Sequence, residues 1–190
     1  LGIEHAYGSY EALLDDPVIE AVYIPLPNHV HVEWCIKALR MGKHVLCEKP
    51  LAISSADAEA MIGAAEARGL HFTMASKFRY VADVQKAKEL IANGTIGEVV
   101  LFENVFTGRV DMTQRWNSNP AVSGGGVLID NGTHSVDITR YCLGALAEVQ
   151  VDLQDAAAAI TGDRGEDLKK RLRTGTVVTN DDRNREQRST

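Results

Sequence analysis

A chain of 190 residues can fill one good core, or build one domain and part of another. With 20 basic against 26 acidic residues its net charge is −6, which argues against a nucleic-acid or membrane-surface binder, since either would carry a basic face. Hydrophobic residues make up 45% and charged ones 24%, as in soluble globular proteins, and no apolar run approaches the roughly 20 residues that span a bilayer. Residues 1–20 lack the basic start and apolar centre of a secretory signal. Cys35, Cys47 and Cys142 form no CxxC pair, so neither a disulfide framework nor a zinc site is expected, and the compartment reads as reducing and cytoplasmic.

Strand and helix signals then alternate along the chain. Ser9 is placed to cap a short helix over 10–14, which Asp15-Asp16-Pro17 stops. "EAVYIPL", 20–26, reads as a buried strand. A helix over 30–40 follows, with Val32, Ile36 and Leu39 on one face and Gly42 ending it. "HVLC", 44–47, is the second strand. A helix capped by Ser54 or Ser55 runs to Gly69, and "HFTMA", 71–75, is the third strand. Strands separated by helices of 10–15 residues predict βαβ units and a parallel sheet.

From Asp83 the pattern changes. "DVQKAKELIANG" is an amphipathic helix, and "GEVVLFENVFT", 97–107, predicts a long alternating strand. Val99, Leu101 and Glu103 fall on one of its faces and Val100, Phe102 and Asn104 on the other, which suits an antiparallel, half-covered sheet. Residues 108–123 read as a loop, 124–143 as a helix and 148–153 as a strand. The expected fold is α/β, with a partial parallel-sheet Rossmann domain over 1–76 and a partial α/β domain, mostly antiparallel, over 77–153. An irregular tail occupies 154–190, where charge is mixed and apolar residues are few. No element precedes the first helix, which suggests that the sequence begins inside a longer protein.

Ligands of an open parallel sheet collect beyond the C-terminal ends of its strands. Two such ends carry unusual residues, "PLPNHVH" and "CEKP". Pro25 and Pro27 stiffen the first turn, and Asn28 could simply cap the next helix. His29 and His31 are two apart and face opposite ways if extended, which argues against a shared metal; no metal site is expected. At the second end, Lys49 beside Glu48 could hold a substrate hydroxyl or exchange its proton, or could be a surface pair before a helix. In "GGGVLIDNGTHSVDITRYCLG", Asp130, His134, Asp137 and Tyr141 continue one helical face, either a wet face or a polar site with His134 as a proton acceptor. Gly124-Gly125-Gly126 could accept an anion at a helix start.

The stretch from Tyr7 to Ala52, with its "EKP" triplet, and the later "GGGVLIDNGTHSVD" closely resemble the Gfo/Idh/MocA oxidoreductases, relatives of glucose–fructose oxidoreductase and inositol dehydrogenase. The resemblance covers roughly residues 1–150. It implies NAD or NADP as cofactor, hydride transfer to or from a carbon bearing a sugar or polyol hydroxyl, and a homo-oligomer in the full-length protein. It implies Lys49 at the reacting hydroxyl, Glu48 on the nicotinamide side, and Pro25, Leu26, Asn28 and His31 along the cofactor. Asp130 and His134 would bind substrate, with His134 exchanging the proton and converging with Lys49 on one cleft; Arg79, Trp116 and Asn117 would shape the sugar pocket. The family's glycine-rich GxGxxG turn, which holds the pyrophosphate, does not occur in this sequence. Two other readings stay open: a relative that cleaves sugar derivatives through transient oxidation, and a non-catalytic binding or scaffolding module that keeps the fold.

Overall fold

A computed structural model describes residues 2–106, 114–126 and 128–146. They fall into two compact units, one within Leu1–Ser76 and Asp111–Asp130, the other within Lys77–Val110 and Asn131–Thr190.

The first unit is built on a parallel sheet of β1 (Ala21–Ile24), β2 (His44–Cys47) and β3 (Phe72–Met74), in that spatial order. Ala21 pairs with His44 and Ile24 with Cys47; Val45 pairs with Phe72 and Cys47 with Met74. β1 is shorter than its apolar run because Pro25 and Pro27 have no N–H to extend a ladder. Within Leu1–Ser76 this unit has three described α-helices: α1 (Tyr10–Asp15), α2 (His31–Arg40) and α3 (Ser55–Glu66). The hydroxyl of Ser9 accepts from the Ala12 N–H at 3.1 Å, and that of Ser54 from the Asp57 N–H at 3.2 Å, which settles the α3 cap on Ser54.

The core joins Leu14, Ile24, Cys35, Ala38, Leu39, Val45, Cys47, Met61 and Ala65. The face of α2 that turns inward is therefore His31, Cys35, Ala38 and Leu39, while Val32 and Ile36 lie at its margin. The expected stripe was rotated because a polar residue, His31, occupies its first position. Small Cys and Ala side chains on that face let the helix lie close to the sheet.

The second unit contains a 3₁₀ turn (Lys77–Tyr80), α4 (Ala82–Ala92), a segment over 97–106 without regular secondary structure, and α6 (Thr133–Leu143). The strand expected over 97–107 is not formed across its described part, 97–106. From Leu101 onward alternate residues are covered, Phe102, Asn104 and Phe106 against exposed Leu101, Glu103 and Val105. The two-residue period of the sequence is thus real, but no strand among the described residues supplies a hydrogen-bonded ladder, and a lone strand has no ladder to hold it. The expected strand at 148–153 and the tail at 154–190 lie outside the described residues.

The expected loop 108–123 contains, in its described part, a 3₁₀ turn (Trp116–Ser118) and a short helix, α5 (Pro120–Ser123). The expected helix over 124–143 is broken: three glycine bends lead to a π-helical turn (Leu128–Gly132) before α6 begins. Gly132 stands at that junction and not in mid-helix. No helix among the described residues is long and apolar enough to cross a membrane.

Candidate active site

β2 delivers Glu48, Lys49 and Pro50 to the C-terminal end of the sheet, with the Lys49–Pro50 peptide cis. The Lys49 ammonium is ion-paired with the Asp130 carboxylate and donates to the Asp130 carbonyl at 3.0 Å. Its side chain is only 17% exposed, so the strand-end lysine is no freely solvated surface charge. Asp130 sits on the π-helical turn, a distortion that tends to occur at functional sites. The Asn117 amide nitrogen lies 3.5 Å from the second Asp130 oxygen, at the outer limit of a hydrogen bond. The Asn117 carbonyl oxygen is buried with no hydrogen-bond partner among the described residues, an acceptor that wants an N–H or O–H.

Glu48 is held from two sides: Oε1 accepts from the Tyr23 hydroxyl at 2.5 Å and Oε2 from the Lys49 N–H at 3.0 Å. Tyr23 escaped the sequence reading. The signal was there, since adjacent strands bring the end of β1 beside the residues after β2. The Glu48 carboxylate, partial burial and like charge push the Tyr23 phenol up to about 12. A phenol raised above its ordinary ~10 stabilises the fold while protonated; that contribution is whole below about pH 10 and lost as pH climbs through about 12. Ultraviolet titration should therefore show a late phenolate component that disappears in Tyr23→Phe and moves back toward ~10 in Glu48→Gln. A component that stays late in Glu48→Gln would contradict this pairing.

Two of the residues expected along the cofactor are used otherwise. His31 is wholly buried, its Nδ1 2.9 Å from the Pro50 carbonyl and its Nε2 2.8 Å from the Leu26 carbonyl. With both nitrogens committed to main chain, its ring cannot line a cofactor. Asn28 is 6% exposed and donates its amide to the Ser123 carbonyl at 2.8 Å. It does not cap α2, whose N-cap is Val30 with no side-chain bond; it ties the loop after β1 to α5. Pro25 and Leu26 line a cavity of about 260 Å³ along β1, together with apolar residues such as Leu14, Ile24 and Trp34. That cavity includes neither Lys49 nor Asp130.

The glycine run answers to packing. Gly124 has φ +79°, and a Cβ there would lie 2.3 Å from Ile53 Cγ2, while one at Gly125 would lie 2.7 Å from Ile129 Cγ1. Chain and side chain approach too closely for any larger residue, so the anion reading is not needed. Trp116, about half exposed, opens the 3₁₀ turn that carries Asn117.

Of the Asp-His-Asp-Tyr stripe, His134 and Asp137 are buried in the second unit, while Asp130 and Tyr141 are partly exposed, so a wholly wet face is not what forms. His134 packs edge-on against Phe78, centroids 4.8 Å apart, and beside Phe106 at 6.0 Å. Neither phenylalanine gave a sequence signal, because apolar residues far apart in the chain announce nothing about a shared neighbour. Arg79 binds Asp137, Nε at 3.0 Å from both oxygens and Nη2 at 2.5 Å from Oδ1. Its guanidinium also faces Tyr141, with centroid distance 5.6 Å, as does the Lys88 ammonium at 3.8 Å. Arg79 and Asp137 thus spend their polar groups on each other, as a nearly buried carboxylate requires.

Parallel strands alternating with helices, and an acid–lysine pair at the strand ends, define a Rossmann-like α/β protein with its polar chemistry at the carboxyl edge of the sheet. Residues 1–76 match the oxidoreductase family with an NAD-binding Rossmann fold, and residues 84–179 match the GFO/IDH/MocA C-terminal domain; the chain belongs to the Gfo/Idh/MocA oxidoreductases. It is similar to levoglucosan dehydrogenase of Pseudarthrobacter phenanthrenivorans, 32% identical over 156 residues that cover 80% of this chain and 40% of that protein. It is also similar to D-xylose 1-dehydrogenase (NADP(+)) 2 of Haloferax volcanii, 39% identical over 156 residues, 82% of this chain and 47% of the relative. Among solved structures, levoglucosan dehydrogenase in complex with NADH and levoglucosan superposes with a TM-score of 0.71 at 31% identity, covering 80% of this chain and 42% of that one. The chain spans less than half the length of these relatives.

Proposed function

We propose that the protein is an NAD(P)-dependent oxidoreductase that moves a hydride between nicotinamide and a carbon bearing a sugar or polyol hydroxyl. The observation that carries this reading is the largely buried Lys49 ammonium, held by Asp130 at the C-terminal edge of a parallel sheet in a family of NAD-binding oxidoreductases. Levoglucosan and D-xylose dehydrogenases among the relatives support a sugar or polyol substrate.

The residues present fit the reacting end of such a complex. The unpartnered Asn117 oxygen beside the Lys49–Asp130 pair is an acceptor for a hydroxyl or amide donor. NAD(P), when bound, supplies the hydride acceptor or donor. Lys49 orients the reacting hydroxyl and favours its deprotonated form, and Asp130 fixes the lysine. Glu48, clamped by Tyr23, faces the nicotinamide side, with Pro25 and Leu26 near the dinucleotide. To His134 we assign exchange of the hydroxyl proton, from its chemistry and the family resemblance, and to Trp116 and Asn117 contacts with the sugar. The site resides in a protein that forms homo-oligomers and works in the cytoplasm.

The test supplies a glycine-rich βαβ unit ahead of Leu1 and incubates the protein with oxidised nicotinamide and sugars or polyols deuterated at the carbinol carbon. Mass spectrometry should find deuterium in the reduced nicotinamide ring. Bound dinucleotide with no label transferred from any member of the panel overturns the reading.

A further inference from the structure

The inference begins with the two contacts of His31. Both of its nitrogens face backbone carbonyl oxygens, Leu26 at 2.8 Å and Pro50 at 2.9 Å. A carbonyl only accepts, and a neutral imidazole carries one N–H. In the neutral ring one nitrogen lone pair would face a carbonyl lone pair at a distance normal for a hydrogen bond. Water does not relieve this, because the residue has no exposed surface. Two N–H groups are needed, and only the imidazolium has them.

The two carbonyls lie where chemistry is expected. Leu26 belongs to the loop after β1, and Pro50 directly follows Lys49 in the turn after β2. The geometry points to His31 as a positioning residue: a buried imidazolium that donates to the main chain of both strand-end loops and thereby sets the Lys49–Pro50 turn. The importance of Lys49 rests on the function proposed above, whereas the clamp itself does not.

Opposing effects are present. Full burial and the position at the first residue of α2, the positive end of its dipole, both disfavour a cation. Burial lowers the ring's affinity for the proton and the Leu26 and Pro50 carbonyls raise it; the further Cys47 contribution would need that sulfur as thiolate. The titratable groups against the ring are Cys47 of β2 and, through it, Cys35 of α2; Glu48 and Lys49 are the charged groups of the turn. Contact with Cys35 and burial push the Cys47 thiol up, so it stays protonated near neutrality and the carbonyls are the partners that matter. While it is protonated the ring braces both loops. When the ring gives up a proton one donor is lost and the brace opens on one side.

The test uses the chain as it stands, labelled with ¹⁵N-histidine and ¹³C-lysine. At pH 7 both His31 nitrogens should resonate as protonated, as two donated hydrogen bonds require. The Lys49 side-chain signal should inflect at the His31 titration point, and the inflection should vanish in His31→Gln. A residue that merely fills space would not transmit its titration to Lys49. A bare His31 nitrogen at pH 7, or a Lys49 signal that does not inflect with His31, overturns the inference. If His31→Gln does not fold, the unmodified chain still decides on those two readouts. Neither readout involves turnover, so failure of deuterium transfer with the inflection intact would fell the proposed function and leave the clamp standing.

Discussion

Lys49→Ala, placed in the protein extended by a glycine-rich βαβ unit, is expected to lower turnover by roughly 10²–10⁴-fold, the usual worth of positioned acid–base help. Dinucleotide affinity should change little, because the ammonium acts on the substrate hydroxyl. The competing explanation, that the variant simply unfolds, is weak on magnitude. Asp130 is 38% exposed, so the carboxylate left behind can be hydrated, and a part-exposed ion pair contributes about 1 kcal/mol or less. Urea denaturation should therefore find the fold nearly as stable as before. Turnover within a few-fold of the unmodified protein, at equal cofactor binding, would remove Lys49 from the chemistry and with it the observation that supports the proposed function.

Gly124→Ala is the substitution for which the largest loss of stability is expected. Two costs combine: a left-handed backbone at φ +79°, about 1–3 kcal/mol for a residue other than glycine, and a Cβ at 2.3 Å from Ile53 Cγ2, about 1–3 kcal/mol of overpacking. The expected total is roughly 2–6 kcal/mol, a large share of the ~5–15 kcal/mol that holds a domain together. Ile53 is 40% exposed, so Ile53→Ala alone should be mild, and in the double variant it should recover only part of the loss. It removes the closest atom, but Ile53 Cβ would remain 2.7 Å from the new methyl group and the backbone strain would persist. Denaturation midpoints of the four proteins in this cycle measure the split. Equal stability of Gly124→Ala and the unmodified chain would show that the segments do not approach as described.

The parallel sheet was legible because its signals are local. Short β-branched and apolar runs, serine caps and helix-length spacing each depend on neighbours in the chain, so β2 came out at its exact residues and α3 at its cap. The "EKP" triplet and the Asp130–His134 run stood out as candidates for the same reason: unusual residues stood at strand ends and in an otherwise apolar run. What the sequence could not express is how each polar group is partnered. His31 looked like a ligand-facing residue, and only folding revealed two carbonyls from different loops on its two nitrogens. Arg79 pairs with Asp137, 58 positions away, a partner that no local signal announced.

Residues 97–106 show the same division from the other side. Their alternation is a property of the chain and shows in the structure from Leu101 onward, yet a strand exists only when another backbone pairs with it, and no sequence period contains that partner. Gly124 is the clearest case. Residue identity permitted a tight turn there, while the need for glycine was set by Ile53, brought to it from 71 positions earlier by the fold. By itself the sequence determined periodicity, caps and the kinds of chemistry available. Tertiary structure decided which groups are free to act, because hydrogen bonds and steric contact depend on distances in space that separation along the chain does not encode.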